Sequence, residues 1–339
     1  MDRQIPPEII QLIVEASLDP YNLFDFDPAE PEKRYSTLKK YSLLNSTWRG
    51  VSEPLLYKWV VILSEKSALS FLEVAESSDS GMVQHVRDLC IGMEVPETSS
   101  LARILWVVTK VVNLSLTEVT LDVEDLTQLR CLRRLEIDNV EIIGSLASST
   151  LSLPSLRRLH LYQCTVTSSA SHFLTPSFLP SLRHLQLCDS RPDLDSLIPQ
   201  LEAISFDSYD YPALSGAKSL LLLHFPPYVL FRPFSRFPSF PSFLSIDYVG
   251  FRLPAYHAQE AINALEHLLA NPTKCPRVVL LRDIGIGETA EALIKQLEGR
   301  AIRITREAEK LDFDGAIIAM ERILAEEKRA ADRAELRKG

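Results

Sequence analysis

Positive charge is scarce in this chain: 36 Lys and Arg stand against 45 Asp and Glu, a net charge of -9. Phosphate backbones are held by basic patches or stripes, so nucleic acid is not an expected partner and proteins are favoured. Long apolar runs are missing too. The longest, Leu220 to Leu223, ends at His224 and two prolines, far short of the roughly 20 residues a spanning helix needs, and no membrane segment is expected. Residues Met1 to Gln4 lead straight into a polar-apolar helical pattern with no secretion-type apolar core, which predicts a cytoplasmic or nuclear protein. Paired cysteines are absent as well. Cys90, Cys131, Cys164, Cys188 and Cys275 form an odd, widely spaced set without a CxxC, and read as reduced thiols.

Catalytic signatures are equally thin. There is no P-loop, no G-x-S-x-G elbow and no H-E-x-x-H pair. Gly285-Ile286-Gly287 lacks the third glycine of a dinucleotide site and reads as a turn. His160 with Cys164, and His184 with Cys188, repeat an H-x-x-x-C spacing that raises the question of zinc. Residues four apart on an extended strand are separated by about 13 Å, so neither pair shares a metal. The expectation is a protein that is not an enzyme, with no metal and no cofactor.

What the chain does have is ordinary core-forming material, 46% hydrophobic against 24% charged residues. Pro6 and Pro7 suit a first helical turn, and Ile9, Ile13 and Ala16 recur at helical spacing, with Ile10 and Leu12 widening the stripe. The acidic, proline-interrupted stretch from Asp19 to Ser36 is expected as a loop or insertion. A second stripe, Leu38, Tyr41, Leu44 and Trp48, is followed by Val51, Leu55, Leu56 and Trp59 past Pro54. At least three short helices are therefore expected.

After Leu63 an internal repeat takes over: two leading apolar residues, then an apolar-x-apolar strand. Leu153-Pro-Ser-Leu-Arg-Arg-Leu-His-Leu and Leu179-Pro-Ser-Leu-Arg-His-Leu-Gln-Leu agree at seven of nine positions. The third apolar residue of each set falls at 89, 114, 135, 159, 185 and 204, a spacing of roughly 19 to 26 residues that lies mostly in the leucine-rich-repeat window. One such unit cannot bury its own apolar face, so neighbours must stack on it. Cys164 falls where such repeats place Asn or Cys to satisfy the turn after the strand, whereas other units offer Val119, Val140, Ser190 and Tyr209.

Beyond Phe206 the register weakens. Ala217, Leu220 and Leu222 form a plausible unit, as do Phe240, Phe243 and Ile246, and later Val278 with Leu280. Phe225 to Phe243 mixes proline and phenylalanine too densely for a helix or central strand and reads as a packed loop. Helices are expected over Tyr256 to Leu269 and Glu288 to Leu297, and a last strand over Ala301 to Ile304. From Asp314 an amphipathic stretch with Ile317, Ile318, Met320, Ile323 and Leu324 predicts a capping helix.

The N-terminal residues resemble the F-box family. Ile5-Pro6-Pro7-Glu8-Ile9-Ile10 looks like that family's opening Leu-Pro-x-Glu motif, and Leu43-Leu44-Asn45-Ser46-Thr47-Trp48-Arg49 like its Val-Cys-x-x-Trp-Arg segment. Leu55-Leu56-Tyr57 with Val60-Val61 resembles the exit of many fungal members. The chain departs from the pattern at Asn45 and in the insertion. The resemblance implies a substrate-recognition subunit of an SCF-type cullin ubiquitin ligase, docked on a Skp-type adaptor and through it on a cullin. It implies that Pro6, Ile9, Leu43 and Leu44 face the adaptor, that Trp48 braces the helices, and that the repeats hold an unknown protein substrate. The expected fold is α/β. A small helical F-box-like module spans 1–62, and a degenerate leucine-rich-repeat solenoid with a parallel strand per repeat spans 63–310. A C-terminal capping helix and tail fill 311–339.

Strand residues between the leucines belong to the opposite, concave face, because side chains alternate with period two. Arg134, Glu136 and Asp138, then Arg158, His160 and Tyr162, then His184, Gln186 and Cys188 are the candidates for a polar partner site. The competing reading is a leucine-rich-repeat scaffold or inhibitor unconnected with ubiquitin transfer, whose N-terminal helices cap the repeats.

Overall fold

Regularly spaced leucines become a fold when successive strands align like residues side by side, and the strands of this protein do so. The computed structural model describes residues 5–18, 29–77, 81–92, 98–144, 152–190, 193–206, 217, 219–225, 241–246, 262, 265–266, 268–270, 275–282, 287–307 and 311–336. The chain divides into two units, Met1–Ser181 and Leu182–Gly339.

The first unit opens with three helices, α1 (Pro7–Ser17), α2 (Ala29–Ser42) and α3 (Ser46–Lys58). Pro6 caps α1 with an extended backbone and Pro7 fills its first turn, where the missing N–H has no intrahelical partner in any case. The buried residues of α1 are Ile10 and Val14, one turn apart, which pack with Leu18, Leu38 and Leu55. The stripe read as one helix from Leu38 to Trp48 is in fact two: the chain breaks at 43–45, and the Asn45 side chain accepts from the backbone N–H of Thr47 and of Trp48, each at 3.0 Å. An N-cap of this kind stabilises a helix start by about 1 kcal/mol. Asn45 departs from the F-box pattern at the position where it starts α3. The insertion is also not all loop. Its last part, from Ala29, is the start of α2, and 19–28 lie outside the described residues.

α3 runs directly into β1 (Trp59–Ile62), followed by α4 (Glu65–Glu76), β2 (Asp88–Ile91), α5 (Thr98–Val107), β3 (Asn113–Thr117), β5 (Arg134–Asp138) and β7 (Arg158–Tyr162). These five strands pair in parallel in that order, with Val60, Leu89, Leu114, Leu135 and Leu159 in one row and Ile62, Ile91, Leu116, Ile137 and Leu161 in another. Both rows are buried. A second parallel sheet is formed by β4 (Thr120–Asp122), β6 (Glu141–Ile143) and β8 (Thr165–Val166); α6 (Val123–Leu126) follows β4. The corner between the two sheets recurs. Glu118, Asn139 and Gln163, each the first residue after its strand, have φ of 55°, 51° and 50°. Left-handed backbone in ordinary residues is uncommon, so its return at one repeat position marks a turn that the stacking imposes.

In the second unit β9 (His184–Cys188), β10 (Ala203–Phe206), β11 (Leu222–Phe225), β12 (Phe243–Ile246), β13 (Val278–Arg282) and β14 (Arg303–Glu307) again pair in parallel in chain order. Leu185, Ile204, Leu223, Leu244, Val279 and Ile304 align in one row. α7 (Gly287–Glu298) precedes β14, and the 24-residue α8 (Phe313–Leu336) ends the chain. α8 lies across the face opposite the leucine row. Phe313, Ala316, Ile317, Met320 and Ile323 pack against Ala203, Leu222, Phe243, Val278 and Leu280.

That packing corrects two readings. The sequence pattern places Leu222, and Val278 with Leu280, in the apolar-x-apolar frame of the repeat, whereas the frame positions are Leu223, Val279 and Leu281. Once a helix covers the second face, a strand is apolar at both parities, and alternation no longer identifies its register. The helix expected over Tyr256 to Leu269 and the loop from Phe225 to Phe243 fall mostly outside the described residues.

The buried row makes a direct prediction. Leu185 is fully buried and its neighbour Gln186 is not, so Leu185→Ala should destabilise the protein by about 2 to 5 kcal/mol and Gln186→Ala by less than about 1 kcal/mol. Urea melts of both variants check it; a larger loss for Gln186→Ala would invert the register.

Candidate interaction site

Water-exposed apolar side chains in the N-terminal helices are concentrated at a few positions. Ile9, Leu12 and Ile13 of α1 are 46%, 62% and 42% exposed, and Ile5 precedes them at helical spacing. Leu12 lies opposite Ile10 and Val14, which are buried, and Ile9 and Ile13 flank that buried pair on one side. α1 is therefore apolar on two sides. One side packs on α3 and α2 through Leu55 and Leu38; the other has no cover among the described residues. In the turn between α2 and α3, Leu43 and Leu44 are 71% and 60% exposed. Pro6 is exposed beside Ile9 in sequence. Trp48 is half-buried and stacks on Tyr41 with ring centroids 5.3 Å apart, joining α3 to α2. Tyr35 of α2 donates its hydroxyl to the carbonyl of Trp59 at 2.7 Å, and burial pushes its phenol up to about 12. The helices are thereby tied to the first strand.

On the strand face opposite the leucines in 1–181, aligned pairs are polar: Asp88 with Asn113, Arg134 with Arg158, Glu136 with His160, and Asp138 with Tyr162. Asn113 Nδ2 donates to Asp88 Oδ1 at 2.6 Å. The Glu136 carboxylate lies 3.8 Å from the Arg134 guanidinium and 3.9 Å from His160 Nδ1. Burial, and next the charge of Glu118, hold the Asp138 carboxyl above the usual carboxylate range. The candidates for a polar partner site on this face are mostly not exposed. Arg134, Glu136 and Arg158 are half-buried, His160 is buried, and Tyr162 alone of the named residues is well exposed.

His184 and Gln186 belong to the second unit, where His184 is buried and Gln186 half-buried. Further along β10 to β13 the same face turns apolar under α8. Three polar side chains remain there in one row: Ser205, His224 and Ser245, all buried. His224 Nδ1 shares a hydrogen bond with Ser245 Oγ at 3.0 Å, and its ring sits 5.8 Å from that of Phe313. Burial lowers the His224 imidazole to about 3. Sequence reasoning missed this residue. Its signal was a histidine between apolar residues at a strand's third position.

The thiols are shaped by burial too. Cys90 is pushed up to about 11, chiefly by desolvation, and the Cys164 thiol is also raised while it donates to the carbonyls of Ile137 and Tyr162 at 3.1 and 3.2 Å. Cys164 thus satisfies the backbone at the turn, as Ser190 does by donating to the Cys188 carbonyl at 3.1 Å. Among the described residues, no group of three or more His, Cys, Asp or Glu is placed to hold a metal ion, and no helix is long and apolar enough to cross a membrane. No family model matches the chain, and no curated protein matches it.

The buried imidazole predicts acid sensitivity. Its folded pKa lies below its ordinary value, so below about pH 6.5 the unfolded chain binds a proton that the folded one does not. Stability from this group is complete above that pH and falls as pH drops toward about 3. Between about pH 7 and about pH 5 the wild type should lose about 2 kcal/mol more than His224→Asn, measured by urea unfolding at each pH. Parallel pH profiles would contradict the assignment.

Proposed function

We propose that this protein is a substrate-recognition subunit of an SCF-type cullin ubiquitin ligase, which docks on a Skp-type adaptor through α1 and the turn between α2 and α3 and holds a protein substrate elsewhere. One observation carries the reading: the N-terminal helices leave Ile9, Leu12, Ile13, Leu43 and Leu44 exposed to water. Apolar surface of this kind is favoured at a protein interface and costs solubility without one. The positions include those at which the sequence resembles the adaptor-facing motifs of the F-box family. The fold supports the reading in coarser terms, since a helical segment followed by parallel strands in repeating order matches the division of labour it requires.

On this reading the work is recognition rather than bond-making. Leu43 and Leu44 bury their side chains on the adaptor together with Ile9, while Trp48 holds α3 against α2 so that the apolar residues keep a fixed spacing. The polar strand face around Arg134, Glu136, Arg158, His160 and Tyr162 supplies substrate contacts, with Tyr162 and the arginines as anchors. Two observations favour the alternative of a binding scaffold with a helical end cap. The Tyr35 hydroxyl and the direct passage of α3 into β1 join the helices to the ladder as a cap would be joined.

The double variant Ile9→Asp, Leu43→Asp separates the two readings. Both side chains are exposed, so the variant should keep its thermal midpoint within a few degrees while losing at least about 90% of copurified Skp-type adaptor. Adaptor capture at the wild-type level would move the docking surface elsewhere. The absence of adaptor from the wild-type purification would favour the scaffold.

A further inference from the structure

We infer that the edge formed by the strand starts of the first unit is a docking surface for an acidic, extended peptide segment of a partner protein. The residues just ahead of β1, β2, β3, β5 and β7 are Lys58, Arg87, Val112, Arg133 and Arg157. They stand side by side in that order. The backbone N–H of Arg87 donates to the carbonyl of Lys58, that of Val112 to Arg87, that of Arg133 to Val112 and that of Arg157 to Arg133, at 2.7 to 2.9 Å. Four of these five neighbouring positions are cations, in a chain whose net charge is -9. The register that aligns leucines in the core aligns these charges at its edge.

The fold itself makes no use of them. Lys58, Arg133 and Arg157 are exposed, and none of the three forms an ion pair or a side-chain hydrogen bond among the described residues. Arg87 is half-buried, and its Nη1 donates to the carbonyls of Gln84 and Val86 at 2.7 and 2.9 Å, which fixes the guanidinium without neutralising it. Like charges on adjacent strands repel, so Arg133 beside Arg157 is a cost to the folded state that a bound anion relieves. The opposite edge has the opposite sign. No Asp or Glu occurs in the segments 81–87, 108–112, 127–133 and 152–157 that lead into β2, β3, β5 and β7, and no Lys or Arg occurs in 117–126 or 138–144, which begin at the ends of β3 and β5. Charge is thus segregated along the strand direction.

Size and sign define the occupant. Four strand steps of about 4.8 Å carry the cations across about 19 Å, the length of about six residues of extended chain. An acidic peptide of that length, lying across the strand starts, meets a cation at nearly every step and stays clear of the carboxylates at the strand ends. A longer polyanion such as nucleic acid gains nothing from the part that overhangs the edge, because the chain as a whole is acidic. This recognition is electrostatic and independent of the adaptor, so it holds for a ligase subunit and for a scaffold alike.

The test is fluorescence anisotropy of the full chain with labelled oligo-glutamates of about two to about ten residues. Affinity should rise with length to about six residues and then level off, and should fall at least about 10-fold between about 50 and about 300 mM salt. The double variant Arg133→Glu, Arg157→Glu should weaken hexaglutamate binding at least about 10-fold. Lys328→Glu, Arg329→Glu in α8 makes the same change in net charge at exposed positions and should leave binding within about 2-fold. Both edge arginines are exposed, so their variant should keep its thermal midpoint within a few degrees, and the length series on the wild-type chain keeps the inference falsifiable if it does not fold. Equal loss in the two double variants, affinity that keeps climbing through the longest peptide, or tighter binding of an oligouridylate of equal length would overturn it.

Discussion

The parallel register is the constraint on which the rest of this structure depends. Each strand is too short to bury anything alone, and its two faces alternate residue by residue. Aliphatic residue beside aliphatic residue, from Val60 to Leu159 in the first unit and from Leu185 to Ile304 in the second, buries one face of the strands only because neighbours share the same phase. A slip of one residue would move the whole row to the other side. The left-handed residues Glu118, Asn139 and Gln163 follow from it, since they turn the chain at the same point in each repeat.

The opposite face is then a problem with two solutions. In 88–162 it carries Asp88, Asn113, Arg134, Glu136, Arg158 and His160, which are buried or half-buried and satisfy one another in part. In 203–280 it carries Ala203, Leu222, Phe243, Val278 and Leu280, which do not tolerate water, and α8 covers them. The sequence of a strand thus states whether its second face is polar or is apolar and packed under a helix. His224 and Ser245 are the polar residues caught under the closed part, and their mutual hydrogen bond is what makes the arrangement affordable.

Much of this was legible in the sequence, for a reason that also explains what was not. The strands around Leu135, Leu159 and Leu185 have one apolar and one polar face, and simple alternation located them to the residue. At Leu222 and Val278 both faces are buried, alternation carries no phase, and the reading slipped by one. The break between α2 and α3 escaped notice because Leu38, Tyr41, Leu44 and Trp48 keep helical spacing across it, while Asn45, the residue that caps α3, was seen only as a departure from a motif. Of the polar site residues, spacing gave the face but not the depth. His160 and His184 are buried among neighbours that no one-dimensional pattern contains.

The N-terminal helices pose the opposite question, since α1 spends apolar residues on water at Ile9, Leu12 and Ile13 when Ile10 and Val14 already supply its packing. The proposed adaptor accounts for that surplus. Hydrogen-exchange mass spectrometry of the full chain, with and without a purified Skp-type adaptor, tests it most directly. The account predicts slowed exchange over 7–17 and 40–46 on adding the adaptor, with the strands of both units unchanged. Exchange that does not change there, or protection that appears along the strand face instead, would contradict it.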